Sequence, residues 1–231
     1  MITKIKESAR RFVKRFDVRY KFFRALDRPE KILELGCGSA ENCYDLKEIY
    51  PSAEICAVDK NNNDKIPGFV LFKETDLDLG ELPYQDSFFD GIIFTHVIEH
   101  LKDPFSLGDE INRVLKEGGR VYIETPNWTT MFVPSFGFKR EQHGPFNFLD
   151  DPTHIKPWSK HGLFAYLSQT CKLHVERVGT VRNWIKILFI FGLIKGKRKY
   201  LIDAFHNFYG WSIYGIGVKQ NNVCKGRLSD G

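Results

Sequence analysis

The chain has 231 residues, of which 42% are hydrophobic and 27% charged. That profile excludes a disordered or fibrous protein and suffices for one domain with a self-sufficient core. The net charge of +5 hides a segregation: residues 1–31 carry 11 basic and 4 acidic side chains, residues 181–231 carry 9 and 2, and the stretch between them is net acidic. An acidic centre between basic ends is not the pattern of a chain that coats nucleic acid, so no nucleic-acid partner is expected.

The five cysteines (37, 43, 56, 171 and 224) are odd in number and form no C-x-x-C pair. They read as reduced thiols of a cytoplasmic protein rather than a disulfide or zinc framework. The first thirty residues lack the apolar core of a signal peptide. The longest apolar run, Trp184 to Ile194, is interrupted by Lys186 and is too short to cross a bilayer.

Along the chain, Phe12, Phe16, Tyr20 and Phe23 recur at helical spacing, which predicts an amphipathic helix over residues 3–25 within an N-terminal extension of residues 1–30. From residue 31 short apolar runs alternate with helical patterns. The runs are Lys31–Leu35, Glu54–Val58, Phe69–Lys73, Gly91–Thr95, Arg120–Glu124, Leu173–Val178 and Ser212–Val218. Leu107, Ile111, Val114 and Leu115 mark a helix that Gly118 and Gly119 are expected to stop. Such alternation predicts an α/β, Rossmann-like, doubly wound and mainly parallel sheet, which binds ligands beyond its strand ends. Two stretches interrupt the alternation, at about 125–158 and 182–209. Both are expected to form a helical and aromatic cap on the domain of residues 31–231, because unstructured connections of that length are usually functional.

The sharpest motif is KILELGCGSAENCYDL, residues 31–46: a strand, a turn with Gly36 and Gly38, then a helix. Glycines allow a tight turn and a close approach of ligand to backbone, and the helix start offers free N–H groups. Asp59 ends the second strand 21 residues after Gly38, where nucleotide-binding α/β units place a carboxylate for ribose hydroxyls. A dinucleotide fingerprint wants a third glycine at position 41, where this chain has Glu41, and Glu34 beside the turn would repel a diphosphate while suiting a cationic amino group. A nicotinamide oxidoreductase is therefore disfavoured.

On these residues the chain resembles the class I S-adenosylmethionine-dependent methyltransferases, whose first motif is an acidic residue followed by G-x-G-x-G/A. The segments TDLDLGELPYQDSFFDGIIFTHVIEHLKDP (75–104) and INRVLKEGGRVYIETPN (111–127) are similar to the family's later strand motifs, with Glu117 where proline is commoner. The likeness is nearest to the small-molecule branch of quinone biosynthesis and saccharide modification. It implies a seven-stranded sheet with an antiparallel last strand, and S-adenosyl-L-methionine as cosubstrate with S-adenosyl-L-homocysteine as product. Gly36 and Gly38 would pass the methionine and ribose, Glu34 would take the amino group directly or through water, and Asp59 would hold both ribose hydroxyls. Asp76, with Asp78 as its competitor, and the Leu77 backbone N–H would meet adenine. Thr95 and His96 would face the sulfonium and its methyl.

The expected acceptor is a small molecule, or one linked to a lipid or saccharide, methylated at a hydroxyl oxygen. His96, His143 and His154 are the histidines that could act as base, with His154 and His96 preferred. His154 lies in DDPTHIKPWSKHGL, which resembles a D-x-x-H stretch of such enzymes. His100 reads as structural, Tyr122 as core and Asn127 as a wall residue. No metal is expected, since His143, His154 and His161 lack zinc-like spacing. The segment 184–199, apolar and then basic, could make a weak peripheral membrane contact. The rival readings are an RNA methyltransferase, which the absence of an N-P-P-Y-like motif opposes, and a non-catalytic binding module, which the intact Glu34, Gly36, Gly38 and Asp59 oppose.

Overall fold

The structure is a computed structural model that describes residues 12–62, 64–133, 147–187 and 205–220. Seven strands form one sheet: β1 (Lys31–Leu35), β2 (Glu54–Asp59), β3 (Val70–Glu74), β4 (Phe89–Thr95), β5 (Leu115–Pro126), β6 (His174–Thr180) and β7 (Ser212–Val218). Their spatial order is β3-β2-β1-β4-β5-β7-β6, and β7 runs antiparallel to both its neighbours. The doubly wound, Rossmann-like sheet expected from the sequence is the fold observed. Strand order reverses between β1 and β4, so the carboxyl ends of β1, β2 and β4 meet at the switch point.

Period-two alternation decides which core each strand residue joins. Leu33 and Leu35 enter a core with Ile92, Phe94, Leu107, Ile111, Leu163 and Leu167, whereas Ile32 enters the opposite one with Phe22, Phe23, Cys43, Leu46, Ile55 and Tyr122. The first core is closed by α3 (Pro104–Val114) and α4 (Lys160–Ala165) and the second by α1 (Val18–Arg24) and α2 (Glu41–Ile49). Each fully buried Leu, Ile or Phe contributes about 1.5–3 kcal/mol. Cys37, Cys43, Cys56 and Cys171 are free and buried; Cys224 lies outside the described residues.

Two expectations are corrected. The N-terminal helix is not continuous: it breaks at residues 15–17, and the Asp17 carboxylate accepts from the Arg19 N–H (3.0 Å) to start α1 afresh. The break turns the aromatic stripe, so Phe12 and Phe16 stay exposed while Phe22 and Phe23 are buried. Residues 3–11 lie outside the described residues. Nor do Gly118 and Gly119 stop the helix before β5. Helix α3, capped by Asp103 and led by Pro104, ends at Val114, and the chain passes straight into β5. Pairing of Leu115 with Phe89, and of the Gly118 N–H with the Lys219 carbonyl (2.8 Å), sets that boundary instead.

Of the cap, residues 125–133 and 147–158 are described, with single-turn helices at Trp128–Phe132 and Phe148–Asp150. His143, the aromatics at 136, 138 and 146, and most of the 184–199 segment lie outside the described residues. Among the described residues no helix is long and apolar enough to cross a membrane.

Candidate functional site

The turn after β1 is built from left-handed backbone. Gly36, Gly38 and Ala40 have φ of +65°, +50° and +57°. The Gly36 and Cys37 N–H groups donate to the Val58 carbonyl, tying the turn to β2. A Cβ on Gly36 would lie 2.4 Å from Val97 Cγ2, so glycine is required for packing against the loop after β4. A Cβ on Gly38 would meet nothing within 4 Å, so there the backbone is bare towards open space. Asp59 Oδ2 accepts from the Gly38 N–H (2.9 Å) and Oδ1 from the Asn61 N–H (3.1 Å). These bonds fix the carboxylate and leave each oxygen a second lone pair for a ligand hydroxyl.

Asp76 caps the turn Leu77–Leu79 by accepting from the Asp78 N–H (3.1 Å), and its other oxygen pairs with Lys60 (2.8 Å). The Lys60 hydrogen bond and the Asp78 N–H hold its carboxyl below the usual range. Asp78 accepts from the Lys102 N–H (2.7 Å). Both aspartates are thus engaged, and Leu77 beside them is buried.

Glu34 is not an open carboxylate. It is 2% exposed, with Oε1 accepting from Asn42 Nδ2 (2.7 Å) and Oε2 facing Cys43 Sγ (2.9 Å). Burial pushes its carboxyl up to about 7 against the opposing Cys43 and Asn42 hydrogen bonds. Asn42 Nδ2 also donates to Thr95 Oγ1 (3.1 Å), linking Glu34 to the end of β4.

A second carboxylate, Glu124 of β5, stands beside the end of β4. Oε2 receives Arg19 Nε (3.1 Å) and the Tyr122 hydroxyl (2.7 Å), and Arg19 also donates to Asn42 Oδ1 (3.1 Å). Burial alone would raise Glu124, but the Arg19 guanidinium and His96 outweigh it and hold the carboxyl well below its usual range. His96 has φ of +54°, and its ring lies between Glu124 Oε1 (Nε2, 3.3 Å) and Glu99 Oε1 (Nδ1, 3.5 Å). Burial by itself would lower this histidine; the two carboxylates overcome that and raise it to about 9. Between these two carboxylates the protonated form of the ring is favoured over the neutral one.

His154 is the reverse case. Its Nδ1 is pinned to the Phe148 carbonyl (2.7 Å), Asp151 stands 3.8 Å from Nε2, and burial lowers its pKa. The Nδ1 hydrogen is thus directed at that carbonyl, and burial disfavours the protonated ring. The cap segment bearing it is stitched to the sheet: the Ile155 and Lys156 N–H groups both donate to the Glu99 carbonyl (2.8 and 3.1 Å), and the His100 and His154 rings stand 4.8 Å apart. Asn127 caps the Trp128–Phe132 turn, and Tyr122 is fully buried.

Sequence reasoning did not find Arg19, Asn42, Glu99 or Glu124 as site residues. The available signal was a charged residue inside an otherwise apolar strand, as at Glu124, which demands a buried partner.

Residues 4–170 match the family described as the methyltransferase domain. The chain is 30% identical over 109 residues to a methyltransferase of Strobilurus tenacellus, covering 46% of this chain and 39% of that protein. It is 27% identical over 158 residues to the malonyl-[acyl-carrier protein] O-methyltransferase of Hahella chejuensis, covering 64% and 52%. It thus spans about a third to a half of the length of the curated relatives it matches. The fold is similar to that of the S-adenosylmethionine-dependent methyltransferase from Mesorhizobium loti, with a TM-score of 0.64 at 15% identity over 86% of this chain and 96% of that one. With 167 residues matched and the seven-stranded fold in place, the chain belongs to the methyltransferase-domain family.

Proposed function

We propose that the protein transfers a methyl group from S-adenosylmethionine to a hydroxyl oxygen of a small molecule, free or linked to a lipid or saccharide. The observation that carries this reading is the left-handed turn at Gly36–Ala40, bare at Gly38, with the Asp59 carboxylate fixed beside it. Backbone open to a ligand next to an oriented acceptor fits a ribose and an amino-acid moiety. The family to which the chain belongs and the similarity to an O-methyltransferase support the same reaction class.

The sulfonium supplies an already activated methyl, so the chain has to align the partners and prepare the acceptor. Gly36 and Gly38 would let the methionine and ribose approach, Asp59 would accept from both ribose hydroxyls, and Asp76 with Leu77 would border adenine. Asn42 would orient the amino end from the platform of Glu34 and Thr95. Glu34, behind Asn42, would face the cationic amino end, and His96 and His154 would stand on the acceptor side. His154 offers the unprotonated nitrogen that activation of a hydroxyl requires.

Isothermal titration should show one S-adenosylhomocysteine bound per chain. Asp59→Ala removes two hydrogen bonds to a charged acceptor, each about 1.5–3 kcal/mol, and should weaken binding about a hundredfold or more. Unchanged affinity in this variant would remove the assignment of Asp59, and no binding by the wild type at millimolar ligand would remove the proposed reaction.

A further inference from the structure

We propose that Glu99, His100 and His154 form a binding site for one divalent transition-metal ion beside His96. One ligand atom from each of the three residues lies within 4.8 Å of the other two. The hydrogen bonds around them dispose of every competing proton. His154 Nδ1 faces the Phe148 carbonyl at 2.7 Å and His100 Nδ1 faces the Thr153 carbonyl at 3.0 Å. The Thr153 hydroxyl, also 3.0 Å from His100 Nδ1, is itself a donor to Asp151 (2.5 Å) and so can only accept from His100. A carbonyl accepts and cannot donate, so each Nδ1 carries the hydrogen, and the tautomer this selects has its lone pair on Nε2. This is the outer-shell arrangement that orients metal-ligating histidines.

Glu99 completes the set. Its side chain is fully buried; Oε2 accepts from the Thr125 hydroxyl (2.9 Å), while Oε1 has no hydrogen-bond partner. Oε1 faces His96 Nδ1 at 3.5 Å and His100 Nε2 at 4.0 Å. His96 makes its shorter contact with Glu124 (3.3 Å) and leaves Oε1 open on the side of the two imidazoles. Asp151 Oδ2, 3.8 Å from His154 Nε2, adds negative charge on the far side. A fully buried carboxylate oxygen without a hydrogen bond, within 4.8 Å of ligand atoms of two imidazoles, is a favourable place for a cation. Ligand distances of about 2.0–2.2 Å to such an ion need only small side-chain rotations.

Two imidazoles and one carboxylate suit zinc, manganese, cobalt or ferrous iron rather than calcium or magnesium. Three protein ligands leave positions open, and these lie towards solvent, since the His100 side chain is 31% exposed whereas Glu99 and His154 are at 0% and 4%. An acceptor hydroxyl held there would meet a positive charge that favours release of its proton to solvent; its oxygen would then bond the methyl carbon as the carbon–sulfur bond breaks. That role rests on the proposed methyl transfer and would take the place of His154 as base, since a metal-bound Nε2 cannot accept a proton; the metal site itself does not depend on it.

The test uses the full chain stripped with a chelator and titrated with Zn2+ and with Co2+, followed by calorimetry and visible absorption. One ion per chain is expected, with cobalt bands of an imidazole–carboxylate site. His100→Ala and His154→Gln should each weaken the ion about tenfold or more, while S-adenosylhomocysteine affinity in the same samples changes less than twofold. Wild-type protein that binds S-adenosylhomocysteine but no ion overturns the site, and so does undiminished metal affinity in His100→Ala. If His154→Gln fails to fold, His100→Ala and a metal-dependent rise in wild-type melting temperature decide the question. Metal bound without S-adenosylhomocysteine binding would instead overturn the proposed methyl transfer and leave the site standing.

Discussion

His96 and Glu34 are shifted in the same direction by different causes: two carboxylates raise His96 against its burial, whereas burial itself raises Glu34. His96 is raised to about 9 and Glu34 to about 7. For His96 the folded value exceeds the unfolded value of about 6.5, so its pairing with Glu124 and Glu99 contributes stability that is complete below that pH and is lost as pH rises through about 9. A proton titration followed by NMR should place the His96 midpoint well above 6.5, and Glu124→Gln should lower it by about a unit or more. A midpoint that ignores Glu124→Gln would refute the pairing. Glu34 titrates in an earlier window. Its raised carboxyl makes ionisation costly, so stability declines between about pH 4.5 and 7 in the wild type, and Glu34→Gln should flatten that decline in urea melts.

The turn between β1 and α2 puts two glycines to different uses. Gly36 is required by the wall behind it and Gly38 by the space in front. Alanine at either adopts a left-handed conformation costing about 1–2 kcal/mol. At position 36 the new methyl also collides with Val97. Gly36→Ala should therefore lower the urea midpoint clearly more than Gly38→Ala, while Gly38→Ala should lose more cofactor affinity relative to its stability. Equal stability losses would mean that the close packing on Val97 is not what fixes glycine at position 36.

At the scale of the molecule, residues 18–26 pack into the fold of the sheet. Phe22, Phe23 and Leu26 share a core with β1 and Tyr122, Leu26 fills the space left by Gly91, and Tyr50 donates to the Phe23 and Leu26 carbonyls. Arg19 adds the ion pair to the buried Glu124. Removing one partner of a buried pair costs about 3–5 kcal/mol, and the lost aromatics add more. A chain lacking residues 1–27 should thus lose cooperative unfolding by calorimetry, and an unaltered transition would show the core to be independent of them.

Much of this was readable in the sequence because it is local. The strands from Lys31 to Val218 declare themselves by apolar runs, the Gly36–Gly38 turn by two residues of unrestricted φ, and Asp59 by its distance from that turn. The N-terminal stripe misled because Asp17 competes as a helix cap, and a spacing rule cannot weigh that competition. Gly118 and Gly119 misled because a strand partner, invisible locally, claimed Leu115 first.

The sequence by itself determined the fold class, the order of the strands along the chain and the residues that border the turn after β1, since each follows from short-range periodicity and backbone preference. Only the tertiary structure decided the charge state of the site. Arg19 meets Glu124 across 105 residues, and His100 meets Thr153 across 53. It is those encounters, made by sheet order and the return of the chain, that raise His96, bury His154 and bring Glu99, His100 and His154 within reach of one another.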